Sequence, residues 1–334
     1  MRRVLAIIAA VFLIAHADAE GLSPDRLGVV YNLDDAFSRE IAVYYALRRS
    51  VPGANVVGVH LGSASVIAPE KFAQIRDNAI DQLPPRVQSL ALLWSAPYAV
   101  GCMSVTTAFA AGYRSGFCEP GCAATAPSPL FDSDGWLPAD TVGWWPAMLI
   151  PTKDPALARA LIERGIAADR SAPPGIVYLV RTQDPSRNVR ASTYIDVEQM
   201  LADRLKIVEL ATPIEREIAG AIGYFTGAVS VEELPRIHFL PGAIADHLTS
   251  SGGVLYDGNQ MSAIAWIAQG ATASYGSVTE PCNRLEKFPN IDVLLKHYLR
   301  GENLLEAYWK SVAMPGQGLF IGEPLARPYA VGRQ

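Results

Sequence analysis

The chain has 334 residues, with 28 Lys and Arg against 33 Asp and Glu and a net charge of −5. No basic block stands out, which sets aside nucleic acid and anionic membrane as partners. Half of the residues are apolar and 18% are charged, the composition of a packed globular domain and not of a disordered one.

Residues 1–19 read as an export signal. Met1-Arg2-Arg3 is a positive start, Val4 to Ala15 is an apolar core too short to span a bilayer, and Ala17-Asp18-Ala19 is a small-x-small cleavage pattern before Glu20. No Cys follows that core, so a lipid anchor is not expected. The expected location is periplasmic or extracellular, with no stable membrane insertion once the signal is cleaved. In such a compartment Cys102, Cys118, Cys122 and Cys282 are expected to form disulfides, and four cysteines allow three pairings. Cys118-x3-Cys122 could also be half of a zinc site, but no nearby His supplies the other half.

From Leu27 onward apolar runs alternate with helical patterns. Strands are expected at Leu27–Tyr31, Asn55–Leu61 and Val87–Trp94, with helices from Asp34 or Asp35 to Pro52 and from Pro69 to Leu83. The pattern lapses over residues 97–146, which hold three of the cysteines and Trp136, Trp144 and Trp145. That stretch is expected to be a disulfide-stapled excursion presenting its tryptophans at the surface. Regularity resumes with strands at Ala147–Ile150, Gly175–Val180, Lys206–Leu210, Ile218–Phe225 and Arg236–Leu240, and helices at Pro155–Ala168 and Ser192–Leu205. Pro241-Gly242 should then turn the chain into a helix that Gly252-Gly253 ends. A buried helix over Asn259–Gln269, a small-residue strand Ala271–Ser277, a helix Glu302–Met314 and a strand Gly318–Ile321 complete the chain. Glu306 and Lys310, four apart, should form a solvated pair. Strand-helix alternation of this kind predicts a three-layer α/β/α fold with a mainly parallel sheet. It spans residues 20–330, as one domain or as two fused lobes over 20–212 and 213–330.

In such a sheet ligands sit beyond the carboxyl ends of the strands. That rule selects Asn32, Thr226, Ser274 and Asn283 as candidate ligand contacts. It also selects a candidate catalytic set of His247, Asp246, Glu280 and Cys282. His247 would act as a base, Asp246 or Glu280 as the orienting or acid group, and Cys282 as a nucleophile if it is not oxidised. Asp246 in the first turn of the expected helix would equally serve that helix's N-terminus. Ser274-Tyr275-Gly276 faintly echoes a nucleophile elbow, but Thr272 stands where its first Gly belongs. His60, His238, His247 and His297 are scattered, with no metal-ligand spacing, so neither a metal nor a cofactor is expected.

The stretches SREIAVYYALRRSVPGANVV, PGAIADHLTSSGG, WIAQGATASYGSVTEPCN, EAYWKSV and GEPLARP resemble a family of exported bacterial proteins, a likeness that covers nearly the whole chain and brings no activity with it. More distantly, the order of strand, AIAWIAQGATASYGS and LRGENLLEAY resembles caspase-like cysteine peptidases of the gingipain-like group. That resemblance implies a caspase-like fold, with a His-Gly ending one strand and a Cys ending the next. The corresponding positions here are Phe225-Thr226-Gly227 and Leu240-Pro241-Gly242, which hold neither residue. Two function classes follow. One is a peptidase-like hydrolase with a relocated catalytic set. The other is a non-catalytic caspase-like relative that holds a ligand or protein partner, with the tryptophan excursion as its contact surface.

Overall fold

The computed structural model of the protein describes residues 21–119 and 122–330. The signal expected at 1–19 lies outside them. In chain order the elements are β1 Leu27–Asn32, α1 Ser38–Arg49, β2 Val56–Val59, β3 Val66–Ile67, α2 Pro69–Gln82, β4 Ser89–Leu93, β5 Ala99–Val100, β6 Met103–Ser104, α3 Val105–Ala111, α4 Pro138–Val142 and β7 Ala147–Ile150. The second part comprises α5 Pro155–Ala168, β8 Ile176–Arg181, α6 Tyr194–Leu201, β9 Lys206–Ala211, β10 Ile218–Thr226, β11 Ile237–His247, α7 Ala263–Gln269, β12 Ala273–Ser277, α8 Ile291–Leu299, α9 Leu304–Ser311 and β13 Gly318–Gly322.

Local chemistry accounts for many of these limits. The Asp154 carboxylate accepts from the N–H groups of Ala156 and Leu157, and Pro155 takes the first helical position, so Asp-Pro starts α5. Asn303 and Glu306 close a reciprocal capping box at the start of α9. Strands β4 and β7 are buried along their whole length, as strands covered on both faces must be.

Ten strands form one sheet in the order β2-β1-β4-β7-β13-β12-β11-β10-β8-β9. Strands β2, β1, β4 and β7 are mutually parallel, as are β12, β11, β10, β8 and β9. Strand β13 lies between the two sets, antiparallel to β12. Both sets open on one edge: the Lys153 ammonium, just after β7, lies 4.3 Å from the centre of the Tyr256 ring, which follows β11. Helices α1, α5 and α7 pack side by side on one face. On the other, α6, α8 and α9 pack in succession, and Trp309 of α9 stacks on Phe320 of β13. The expected α/β architecture with a mostly parallel sheet flanked by helices is what the structure shows. The sheet does not divide at 212/213, because β8 and β9 continue the same sheet as β10.

Three expectations are corrected. The chain after Pro241-Gly242 is no helix; β11 runs through to His247. Pro and Gly here mark a bulge. Between Phe239 and Ile244 strand β11 advances five residues while β10 advances two, from Ala221 to Gly223. Gly242 takes φ +88°, a conformation open to glycine, while its carbonyl accepts from the Tyr298 hydroxyl. A short apolar run carries no period that separates a buried strand from a buried helix, and the turn residues were the misleading cue.

The excursion is likewise not a display of tryptophans. Trp136 and Trp144 are buried, Trp144 lies edge-on to both Phe117 and Trp309, and the Trp136 indole donates to the Ser89 hydroxyl. Trp145 is half-buried beneath Arg76. Trp136 and Trp144 meet α9 through Lys310 and Trp309. Glu306 and Lys310 are buried too and serve different partners: Glu306 accepts from the Leu22 and Asn303 N–H groups, while Lys310 pairs with Glu302 at 2.8 Å.

All four cysteines are paired. Cys102–Cys118 closes the excursion on itself, and Cys122–Cys282 ties it to the loop after β12. A non-reducing peptide map of the folded protein is expected to return these two linkages; a Cys282 peptide recovered as a free thiol would contradict this connectivity.

Candidate functional site

The carboxyl edge of the sheet is built from the ends of β8, β10, β11 and β12 and the loops that follow them. Thr226 and His247 are paired neighbours at the ends of β10 and β11, and Phe225 and Asp246 are the pair one residue earlier. Successive side chains of a strand point to opposite faces. Asp246 and His247 therefore leave β11 on opposite sides of the sheet.

On its side, Asp246 meets Arg190, which precedes α6, in an ion pair of 2.5 Å. Both residues are buried, at 1% and 3% exposure. Burial pushes the Asp246 carboxyl upward and Arg190 opposes that shift. Arg190 also donates to the carbonyl of Thr226, and its guanidinium lies 5.6 Å from the centre of the Phe225 ring. Its loop is thereby pinned over the ends of β10 and β11.

His247 is enclosed on the other side by α7 and the segment before it. The Trp266 indole N–H donates to Nδ1 at 2.9 Å, so Nδ1 carries the lone pair. Nε2 must then carry the proton and donates it to the Met261 carbonyl at 3.0 Å. Both ring nitrogens are spent on the neutral form. Burial brings the pKa of the imidazole down to about 4, and the Arg190 and Arg187 charges add to the shift. The lone pair on Nδ1, the site that would take a proton from a substrate, is occupied by the Trp266 N–H.

The remaining predicted catalytic groups lie nearer the surface. Cys282 is in the Cys122 disulfide, which removes the thiolate a nucleophile needs. The exposed Glu280 accepts from the Cys282 backbone N–H at 2.7 Å. Glu280, Cys282 and Asn283 border one polar hollow of about 320 Å³, together with Arg187, Thr249 and Ser250. Arg187 is fixed there by the Asp184 carboxylate at 2.7 Å and the Thr249 hydroxyl at 3.1 Å. Sequence reasoning missed Arg187, Arg190 and Thr249, although the strand-end rule applied to β8 would have selected the Arg187-x2-Arg190 loop.

Of the predicted ligand contacts, Asn283 alone belongs to this hollow. Asn32 is buried at the end of β1, donating to the Gly62 and Ala96 carbonyls and accepting from the Asp34 and Leu61 N–H groups. It borders a second hollow with Asp34, Asp35, Ser95 and Lys153, where the strand order reverses between β1 and β4. Thr226 is buried and donates to the Val180 carbonyl. Ser274 is buried within β12, not raised on an elbow. Close approach explains the small residues of that strand: a Cβ on Gly276 would come within 2.3 Å of the Gly252 carbonyl carbon. Among the described residues no group of three His, Cys, Asp or Glu side chains is placed to hold a metal ion.

No family model matches this chain, and no curated protein does. A solved structure described as "Structure of Protease" superposes on 95% of the chain and 81% of its own length, with a TM-score of 0.53 and 11% identity. A protease-like fold is what they share. At that identity the likeness carries no catalytic residue across. The caspase-like pattern expected a Cys at Leu240–Gly242, but that segment is the bulge within β11, and the strand ends at His247. The end of β10, where the pattern expected His-Gly, is Thr226-Gly227.

The His247 geometry sets a pH dependence. The unfolded imidazole takes a proton near 6.5, the folded one only near 4. Protons bound by the unfolded chain alone destabilise the fold as pH falls from about 6.5 toward 4, and below that the contribution is fully lost. Between pH 7 and 5 this amounts to about 2 kcal/mol. Urea unfolding at both pH values should show His247→Gln losing about that much less stability than wild type; equal losses would contradict the neutral, enclosed ring.

Proposed function

We propose that this chain is an exported binding protein built on a protease-like, caspase-related scaffold, without the catalytic groups of a cysteine peptidase. The observation that carries this reading is the state of the two strand ends. His247 has both nitrogens engaged, Asp246 is spent on Arg190, Cys282 is oxidised, and Thr226 stands at the end of β10. General-base and nucleophilic catalysis each require one such group to be free. Two disulfides suit an oxidising compartment, and among the described residues no helix is long and apolar enough to cross a membrane.

The hollow bordered by Arg187, Thr249, Ser250, Glu280 and Asn283 is the place for the ligand. It occupies the carboxyl edge, where the parallel sheet leaves a crevice. Its groups of both signs suit the polar backbone and side chains of an extended peptide.

A quenched-fluorescent peptide library separates binding from catalysis. The wild-type protein is expected to cleave nothing above the buffer rate, while the immobilised protein retains a subset of intact peptides. Arg187→Glu should reduce that retention at least tenfold. Turnover abolished by His247→Ala or Ser250→Ala would replace the binding reading with a hydrolase. For export, N-terminal sequencing of the secreted or periplasmic chain should begin at Glu20; a mature chain retaining Met1 would contradict the cleavage.

A further inference from the structure

The second set of parallel strands has its own reversal of order. Strand β8 is followed in the chain by β9, which pairs on one side of it, and then by β10, which pairs on the other. At such a reversal the connections leave the carboxyl ends in opposite directions and open a crevice between them. A hollow of about 570 Å³ lies at these strand ends, bordered by Thr182 after β8, Glu215 after β9, and Glu232 and Glu233 after β10. Small-molecule sites usually measure about 300–1,000 Å³. The hollow shares no lining residue with the one around Arg187, so its ligand is independent of the peptide reading given above.

Glu233 sets its chemistry. The residue is 8% exposed, and its Oε1 accepts from the Tyr224 hydroxyl. Its Oε2 meets no donor, keeps accessible surface and borders the hollow. A carboxylate this deep is ordinarily paired with a cation, because little water is left to offset its charge. The neighbouring Arg236 does not supply one: its Nη1 donates to the Ile214 carbonyl at 3.0 Å. Glu215 and Glu232 are exposed, and among the described residues neither is held in an ion pair. Three carboxylates against the one guanidinium of Arg236 leave the hollow negative, and a cleft lined by one sign of charge concentrates the opposite ion.

The arrangement also selects the kind of cation. A metal ion needs convergent ligands, and among the described residues no three acidic, His or Cys groups are placed to share one. The carboxylates instead come from either side of β8, and Pro213, Ile214 and Ala228 add apolar wall. We infer that this hollow binds a linear polyamine, with one ammonium group on Glu233, another on the carboxylates at the rim, and the methylene chain along the apolar wall.

Isothermal titration of the full chain, disulfides intact, with spermidine at neutral pH tests this. Saturable one-to-one binding is expected, with butylamine, which carries a single charge, at least tenfold weaker and magnesium chloride giving no saturable heat. Glu233→Gln keeps an acceptor for Tyr224 and removes the charge, so it should weaken spermidine at least tenfold with an unchanged circular dichroism spectrum. If that variant does not fold, the double variant Glu215→Gln/Glu232→Gln, at exposed positions, should show the same loss. Asp81→Asn removes one charge from the exposed end of α2 and should leave the affinity unchanged. A blocked Lys-Gly-Lys peptide offers the same ammonium groups as a partner protein would, and should bind more weakly than spermidine. The proposal is overturned if spermidine gives no saturable heat, if butylamine, magnesium or the peptide binds as tightly, if the folded glutamate variants bind like wild type, or if Asp81→Asn weakens binding as much as they do.

Discussion

The arrangement of the carboxyl edge depends on one buried ion pair. Taking Arg190 and Asp246 out of water carries a desolvation cost that their attraction offsets only while both are present and close. Breaking such a pair by removing one partner typically costs about 3–5 kcal/mol. This constraint holds the loop between β8 and α6 against the strand ends. Arg190 from that loop reaches the Thr226 carbonyl, and Arg187 from the same loop reaches Thr249 beyond the end of β11. The pair thus seals one face of β10 and β11, while Trp266 and Met261 seal the other around His247.

That sealing distinguishes chemistry that is present in the sequence from chemistry that is available. Asp246, His247, Glu280 and Cys282 all occur within one stretch, and three of them, Asp246, His247 and Cys282, are engaged within the protein, while Glu280 stays exposed at the hollow. His247 is the clearest case. A histidine needs one basic nitrogen in reach of a substrate, and here both nitrogens are engaged within the protein. The binding we propose would use the carboxyl-edge crevice and the loops around it.

Much of the fold was legible in the sequence, because buried strands flanked by capped helices announce themselves locally. The start of α5 follows from Asp154-Pro155, and β4 and β7 follow from continuous apolar runs. What was not legible depended on residues far apart. Nothing local to Asp246 indicates that Arg190 neutralises it, and the Pro241-Gly242 pair looks the same in a turn as in a strand bulge. Trp136 and Trp144 sit in a Gly- and Pro-rich stretch that reads as surface; Trp144 packs on Phe117 of the excursion and Trp309 of α9, and Trp136 meets Ser89 of β4 and Lys310 of α9. Glu306 and Lys310 have the spacing of an exposed pair, and only the packing of α9 beneath its neighbours makes them core.

The central claim is that His247 is held neutral in one tautomer and withheld from solvent. The most direct measurement is the nitrogen-15 NMR signature of its ring between pH 5 and pH 8. A fixed pattern, with the proton on Nε2 and an accepting Nδ1, is the predicted result. A ring that titrates near 6.5, or that exchanges between tautomers as an exposed histidine does, would contradict the account and return His247 to the set of available bases.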